Sequence, residues 1–278
     1  MGAGIAEVCA RAGLDVVVHE VNPGAAEAGR ARITASLDRG VRRGKLTGEE
    51  RDAALDRVRV THELTELADR DLVVEAATED EKVKVELFTE LDRIVTREDA
   101  IIASNTSSLP IMRLGTATTR PHQVIGVHFF NPVPVLELVE IAPSLLTGPQ
   151  VRSRAEEFVT GVLGKKVIHA QDRAGFVVNA LLVPYLLSAI RMLESGHASA
   201  EDIDTGMVLG CAHPMGPLSL ADLIGLDTLT AIAEAMYADF KDPLHAPPPL
   251  LLRMVEAGLL GRKSGRGFHD YSDSQKGN

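Results

Sequence analysis

Gly2-Ala3-Gly4-Ile5-Ala6-Glu7-Val8 and, after Gly13, Asp15-Val16-Val17-Val18-His19-Glu20 decide how the first half of this chain is read. The first run has apolar residues at helical spacing and opens on a glycine, and Gly13 closes it. The second is a β-branched run ending on an acid. A glycine at a helix start lets the backbone approach a pyrophosphate, whose charge the helix N-terminus favours. An acid ending the next strand, roughly 20 residues on, suits the two hydroxyls of an adenosine ribose and repels an additional phosphate. Glu20 therefore has two readings, a ribose ligand or a surface acid at a strand end. The first selects NAD over NADP, with Gly2 and Glu20 at the cofactor.

The full fingerprint G-x-G-x-x-G needs a preceding strand and two further glycines, and Gly2 stands as its last glycine. In a doubly wound sheet the preceding strand is central, so a sheet without it has two exposed edges. The expectation is an α/β Rossmann-type N-terminal domain whose first strand is missing. With it goes the expectation that the native start lies upstream of Met1, which would be an internal methionine of the motif.

Outward from this stretch, strand-like runs at 15–20, 71–76, 100–104, 124–130 and 166–170 alternate with helical periodicity at 2–12, 25–43, 81–95 and 149–163. That alternation belongs to parallel sheets with crossover helices. After Gly175 the periodicity is helical throughout, at 176–195, 200–209, 226–239 and 250–257, with no strand alternation. The boundary falls near residue 172, giving domains 1–172 (α/β, dinucleotide-binding) and 173–278 (all-α).

A chain of 278 residues exceeds what one core usually fills, since single cores stop growing near ~250–300 residues. No apolar run reaches the ~18 residues of a membrane span, and the N-terminus has no signal-peptide pattern, so a cytoplasmic protein without membrane contact is expected. Cys9 and Cys211 stand alone and without metal-ligand spacing, so neither a disulfide framework nor a metal site is indicated. A net charge of −10 argues against nucleic-acid binding. Between residues 30 and 45, however, Arg30, Arg32, Arg39, Arg42, Arg43 and Lys45 face the single acid Asp38. That segment is a solvated helix face or a site for an anionic ligand.

The run His128-Phe-Phe-Asn-Pro-Val-Pro-Val-Leu-Glu-Leu-Val-Glu140 reads as two apolar strands around a proline turn. If the chain reverses about Pro134, His128 lies opposite Glu140, and paired residues share a hairpin face. A carboxylate facing an imidazole orients it and selects one tautomer, which is what a general base needs. None of the other histidines has an acid placed by such pairing. Asn105-Thr-Ser-Ser-Leu109 follows a strand, at the sheet edge where such folds bind ligands, and its hydroxyls equally suit a helix cap.

Together, Val74-Glu75-Ala76, Ser104-Asn-Thr-Ser-Ser108, His128-Phe-Phe-Asn-Pro132, Leu138-Val-Glu140, Asp172-x-x-Gly-Phe-Val-Val-Asn179, Pro214-Met-Gly-Pro217, Gly225-Leu-Asp227 and Gly261-Arg-Lys-Ser-Gly265 resemble the L-3-hydroxyacyl-CoA dehydrogenases, including the bacterial 3-hydroxybutyryl-CoA type. The resemblance covers essentially the whole chain. It implies oxidation of (S)-3-hydroxyacyl-CoA by NAD, a helical domain that binds substrate and forms a homodimer, and an active site between the domains. Carried over, His128 is the catalytic base and Glu140 its partner, while Ser107 and Asn179 contact the substrate around its reacting oxygens. Glu20, Glu79, Lys84, Ser107, Asn131 and Lys263 fall on positions used around NAD, and Ser36 and Arg43 on positions that contact CoA. Two departures stand out: Ala174 replaces a usual proline, with an expected loss only of linker rigidity, and Ala180 replaces an arginine after Asn179. Two other functions remain open, a dehydrogenase of sugar-acid type that does not use CoA, and a structural protein that kept the fold without catalysis.

Overall fold

The computed structural model describes residues 1–272, and the chain divides into two units, Met1–Asp172 and Arg173–Asn278. In the first, the order is α1 (Gly2–Arg11), β1 (Val16–His19), α2 (Pro23–Arg42), α3 (Gly48–Asp56), β2 (Val58–Thr61), β3 (Leu72–Glu75), α4 (Glu81–Ile94), β4 (Ile101–Ser104), α5 (Ile111–Thr116), β5 (Val124–Phe129), β6 (Leu138–Ala142), α6 (Pro149–Glu157) and β7 (Lys166–His169). Helix starts carry their local signals. Asn22 accepts from Ala25 N–H ahead of Pro23, Thr47 and Glu50 cap α3 reciprocally, and Asp80 accepts from Val83 N–H. β4 and β5 are buried along their whole length, which is why they read as unbroken apolar runs.

Two sheets result. β1 and β2 pair in parallel, and β3-β4-β5-β6-β7 form a second sheet that is parallel except where β5 meets β6. β1 and β3 each end their sheet. α1 ties the two parts together. Its Ile5 and Val8 pack with Ile101, Ala103, Ile125 and Val127, while Ala6 and Ala10 pack with Ile33, Leu37, Ala54 and Val58. Full burial of Ile5 or Val8 contributes about 1.5–3 kcal/mol each. Gly4 sits where a Cβ would come within 3.0 Å of the Val133 Cβ, so its absence lets the turn between β5 and β6 seat on α1. At Gly2 a Cβ would make only ordinary contact, 3.7 Å from the Ala76 Cβ, so protein packing does not demand glycine there. Cys9 is largely enclosed, and burial pushes its thiol up to about 12, so it acts as a small packing group.

Several boundaries differ from the sequence expectation. β2, with Arg59 exposed between buried Val58 and Thr61, is too short and polar to announce itself. The helix expected over 149–163 changes at Glu157 into a π-helical turn, Phe158–Val162. In the second unit, α7 (Val178–Glu194) begins later than expected because Gly175 and Phe176 take left-handed backbone, φ +83° and +45°. It is followed by α8 (Ala200–Cys211), α9 (Pro217–Ile224), α10 (Leu226–Phe240) and α11 (Pro249–Glu256). α9, opened by Pro217, has no counterpart among the helices expected from periodicity. Leu186, Leu187, Ile190, Leu218, Leu226, Leu229 and Met236 centre this unit's core. Among the described residues no helix is long and apolar enough to cross a membrane.

Candidate active site

β5 and β6 meet in the register Gly126↔Ala142, Val127↔Ile141, His128↔Glu140 and Phe129↔Val139, so the histidine and the glutamate are direct cross-strand partners. His128 Nδ1 lies 2.8 Å from Glu140 Oε2, and both side chains are buried. With Nδ1–H donating to the carboxylate, Nε2 carries the lone pair. Phe130 shields the imidazole, ring centroids 4.7 Å apart. The strand carrying His128 is held sideways as well, because Phe129 N–H donates to Asn105 Oδ1 at 2.9 Å.

Asn105 begins the segment that leaves β4, where Ser107 lies. Glu79 organises this segment: its Oε1 accepts from the Thr106 hydroxyl, from Ser107 N–H at 3.1 Å and from the Ser108 hydroxyl at 2.9 Å. Partial burial disfavours its charge, but the hydroxyls of Thr106 and Ser108 and the ammonium of Lys84 outweigh that and hold the carboxyl below its ordinary range. Among the described residues the Ser107 hydroxyl makes no hydrogen bond, and the side chain is half-buried. At the far end, Asp172 accepts from Ile111 and Met112 N–H at 2.6 and 2.8 Å, capping α5. Thus both ends of the Ser107 segment are tied to carboxylates distant in sequence.

Lys84 is placed differently from a solvent-facing cofactor ligand. It is 1 % exposed, and its ammonium lies 2.6 Å from Glu75 Oε1 and 3.2 Å from Glu79 Oε2. Sequence reading placed Asn105 at the ligand-binding sheet edge but assigned no individual role to Glu75, Ser104 or Asp172, although a lone acid ending the apolar strand Leu72–Glu75 was a usable signal. Glu20 follows β1 and accepts from Arg32 at 3.2 Å, and α1 opens at Gly2 beside Ala76, just past β3. Glu20, Glu79 and Ser107 thus all follow the C-terminal ends of parallel strands. Asn131 is exposed in the hairpin turn. On α2, Ser36 is half-buried and Arg43, at the helix end, is exposed. Among the described residues Arg39, Arg42 and Arg43 form no ion pair, which leaves them open to an anion.

In the second unit, Asn179 is half-buried in the first turn of α7, and Lys263 pairs with Asp227 at 2.5 Å. Ala174 is buried, and its N–H points to Asp239 Oδ2 at 3.4 Å. Proline there would lack that donor, so the alanine brings a contact as well as a looser linker. Ala180 packs against the core cluster.

Comparison with known proteins joins these features. Residues 1–173 match the family model of the 3-hydroxyacyl-CoA dehydrogenase NAD binding domain, and residues 175–271 match that of the C-terminal domain. The chain belongs to the NAD-dependent 3-hydroxyacyl-CoA dehydrogenases. Its fold, enzyme class and cofactor are those of this family. A 3-hydroxybutyryl-CoA dehydrogenase of Mycobacterium tuberculosis is 59% identical over 271 residues, which is 98% of this chain and 95% of the relative. The mitochondrial human hydroxyacyl-coenzyme A dehydrogenase is 41% identical, over 98% of this chain and 88% of the relative. The crystal structure of an (S)-3-hydroxybutyryl-CoA dehydrogenase from Ralstonia eutropha has a TM-score of 0.91 at 46% identity, covering 98% and 95% of the two chains.

Proposed function

We propose that this 3-hydroxyacyl-CoA dehydrogenase works on short acyl chains, interconverting (S)-3-hydroxybutyryl-CoA and acetoacetyl-CoA, with His128 as general acid and base. The observation that carries the chemistry is the buried His128–Glu140 pair at 2.8 Å. Bound NAD supplies the acceptor for the hydride that leaves C3. His128 Nε2 takes the proton of the 3-hydroxyl as the carbonyl forms, and Glu140 stabilises the resulting imidazolium. In reduction the same nitrogen returns the proton to the alkoxide oxygen. Ser107 and Asn179 donate to that oxygen, and the Glu79 carboxylate, which accepts from residues 106–108 and pairs with the Lys84 ammonium, keeps the Ser107 segment in one conformation.

The first unit suits a dinucleotide, with Glu20, Glu79 and Ser107 at the C-terminal edge of parallel strands and a helix N-terminus at Gly2. Lys263 and Asn131 complete the cofactor contacts. Ser36 and Arg43, with Arg39 and Arg42 beside them, meet the CoA moiety, where guanidinium groups suit phosphates. Residues 1–172 form the NAD-binding domain, which also carries His128, Ser107, Ser36 and Arg43 toward the substrate, and residues 173–278 the helical substrate and dimerisation domain, which also carries Lys263. Leu181, Leu209 and Leu223, exposed on α7, α8 and α9, support a homodimer formed through the second unit. We place the enzyme in the cytoplasm.

The direct test is NADH oxidation with acetoacetyl-CoA, longer 3-ketoacyl-CoA thioesters and free 3-keto acids. The expected order of kcat/KM places acetoacetyl-CoA first. A preference for medium chains would overturn the chain-length assignment, and equal use of free acids would overturn the role of the α2 cations. Cofactor choice has its own test in Glu20, whose carboxylate faces the Arg32 guanidinium. Glu20→Ser removes the acceptor for ribose hydroxyls and frees that cation for a 2′-phosphate. With hydrogen bonds to charged groups contributing about 1.5–3 kcal/mol, kcat/KM for NADH is expected to fall at least about tenfold while NADPH turnover rises. Unchanged selectivity would remove Glu20 from the cofactor site.

A further inference from the structure

We propose that Glu75 is a positioning residue for the cofactor: it anchors Lys84, and through Lys84 holds Glu79 and the 106–108 segment in the arrangement that receives NAD(H). The inference rests on the reading of this strand edge as the NAD site. The Glu75 side chain has no exposed surface and closes β3. Its Oε1 accepts from Ala77 N–H and from the Lys84 ammonium, each at 2.6 Å, and its Oε2 accepts from the Ser104 hydroxyl at 2.6 Å. One carboxylate therefore joins the chain leaving β3, helix α4 and the last residue of β4.

The line of contacts continues outward. Lys84 reaches Glu79 at 3.2 Å, and Glu79 holds the backbone N–H of Ser107 and the hydroxyls of Thr106 and Ser108. Packing alone does not call for this arrangement, because apolar groups of the same volume serve a core equally well or better than buried ions. What the ions add is directional. Lys84, shared between two carboxylates, keeps Glu79 at a set distance from the sheet. Without Glu75 the ammonium has Glu79 as its one remaining carboxylate, which draws Glu79 inward and releases its donors in the 106–108 segment.

The test compares Glu75→Gln with wild type in kcat and KM for NADH, in NADH affinity by fluorescence, and in melting temperature. The expected result is a rise of about tenfold in both KM and Kd for NADH with kcat changed less than about threefold. The double variant Glu75→Gln/Lys84→Met removes both charges, keeps the volume, and supplies the same measurement should the single variant not fold. Its NADH KM is expected to stay raised. Asp92→Asn is the matched control, since Asp92 accepts from Thr119 and Arg120 away from this edge. It lowers the melting temperature and leaves KM for NADH unchanged. A wild-type KM in Glu75→Gln, or restoration of wild-type KM in the double variant, overturns the proposal. Glu79→Ala and Ser107→Ala separate the two levels. If they too leave NADH binding intact, the NAD-site reading fails; if they weaken it while Glu75→Gln does not, only the positioning role fails.

Discussion

His128→Ala is expected to lower kcat by about 10²–10⁴-fold, the usual contribution of a positioned general acid or base, while the Kd for NADH stays within about twofold. The two effects separate because the His128 imidazole is assigned to the substrate hydroxyl, whereas Glu20, Glu79 and Ser107, assigned to the cofactor, follow β1, β3 and β4, and the substitution leaves Asn131 in the hairpin turn unchanged. Acetoacetyl-CoA reduction by stopped-flow, with NADH binding followed by fluorescence, measures both quantities on one preparation. Glu140→Gln sharpens the result. The amide keeps an oxygen for the Nδ1–H but withdraws the negative charge that stabilises the imidazolium, so kcat should fall less than in His128→Ala. A kcat within tenfold of wild type in His128→Ala would end the assignment of His128 as the base.

Asp222→Ala should destabilise the second unit by about 3–5 kcal/mol, because it removes one buried carboxylate that three donors share. Asp222 is 1 % exposed on α9. Its oxygens accept from Phe268 N–H at 2.9 Å, His269 N–H at 3.0 Å and the Tyr271 hydroxyl at 3.1 Å. Gly261 and Gly267 pack so closely on Asp222 that a Cβ at either would come within 2.5 Å of it. Asp204 reinforces the same segment through His269 Nε2 at 2.9 Å. The expected readouts are a drop of about 10 °C in melting temperature and faster amide exchange at Phe268 and His269. Lys263, proposed above as a cofactor contact, lies on the released segment, and on that reading KM for NADH should rise as well. Asp222→Asn, which keeps an acceptor, should show a smaller loss. A melting temperature within about 2 °C of wild type in Asp222→Ala would show that the segment is held by other contacts.

The His128–Glu140 pair is legible in the sequence because hairpin register is arithmetic: a turn centred on Pro134 leaves one partner for each residue, and strand period alone decides the face. Asp15 to Glu20 was legible for a similar reason, since a β-branched run after Gly13 has few other conformations open to it. By contrast, Lys84 matched a cofactor position by resemblance, and nothing in Glu81-Lys-Val-Lys84 distinguishes Lys82, which is exposed, from Lys84, which is buried. Burial of a lysine depends on what meets it, here Glu75 at the end of β3 and Glu79 beyond it. The π-helical turn at Phe158–Val162 and the left-handed Phe176 likewise leave no periodic trace.

By itself, the sequence determined most of the strands and helices, though not α3, β2, α5 or α9, the division between an α/β and a helical part, and the facing of His128 by Glu140. All of these follow from local propensity, side-chain period and turn position, which act over a few residues. Tertiary structure alone decided the packing of α1 against both sheets, the burial of Lys84 between Glu75 and Glu79, and the clamping of residues 261–271 by Asp222. The last two depend on groups that meet across 9 to 49 positions of chain, and the seating of α1 on residues farther off still. Their energies come from desolvation and paired charge, which exist only once the surrounding residues have closed over them.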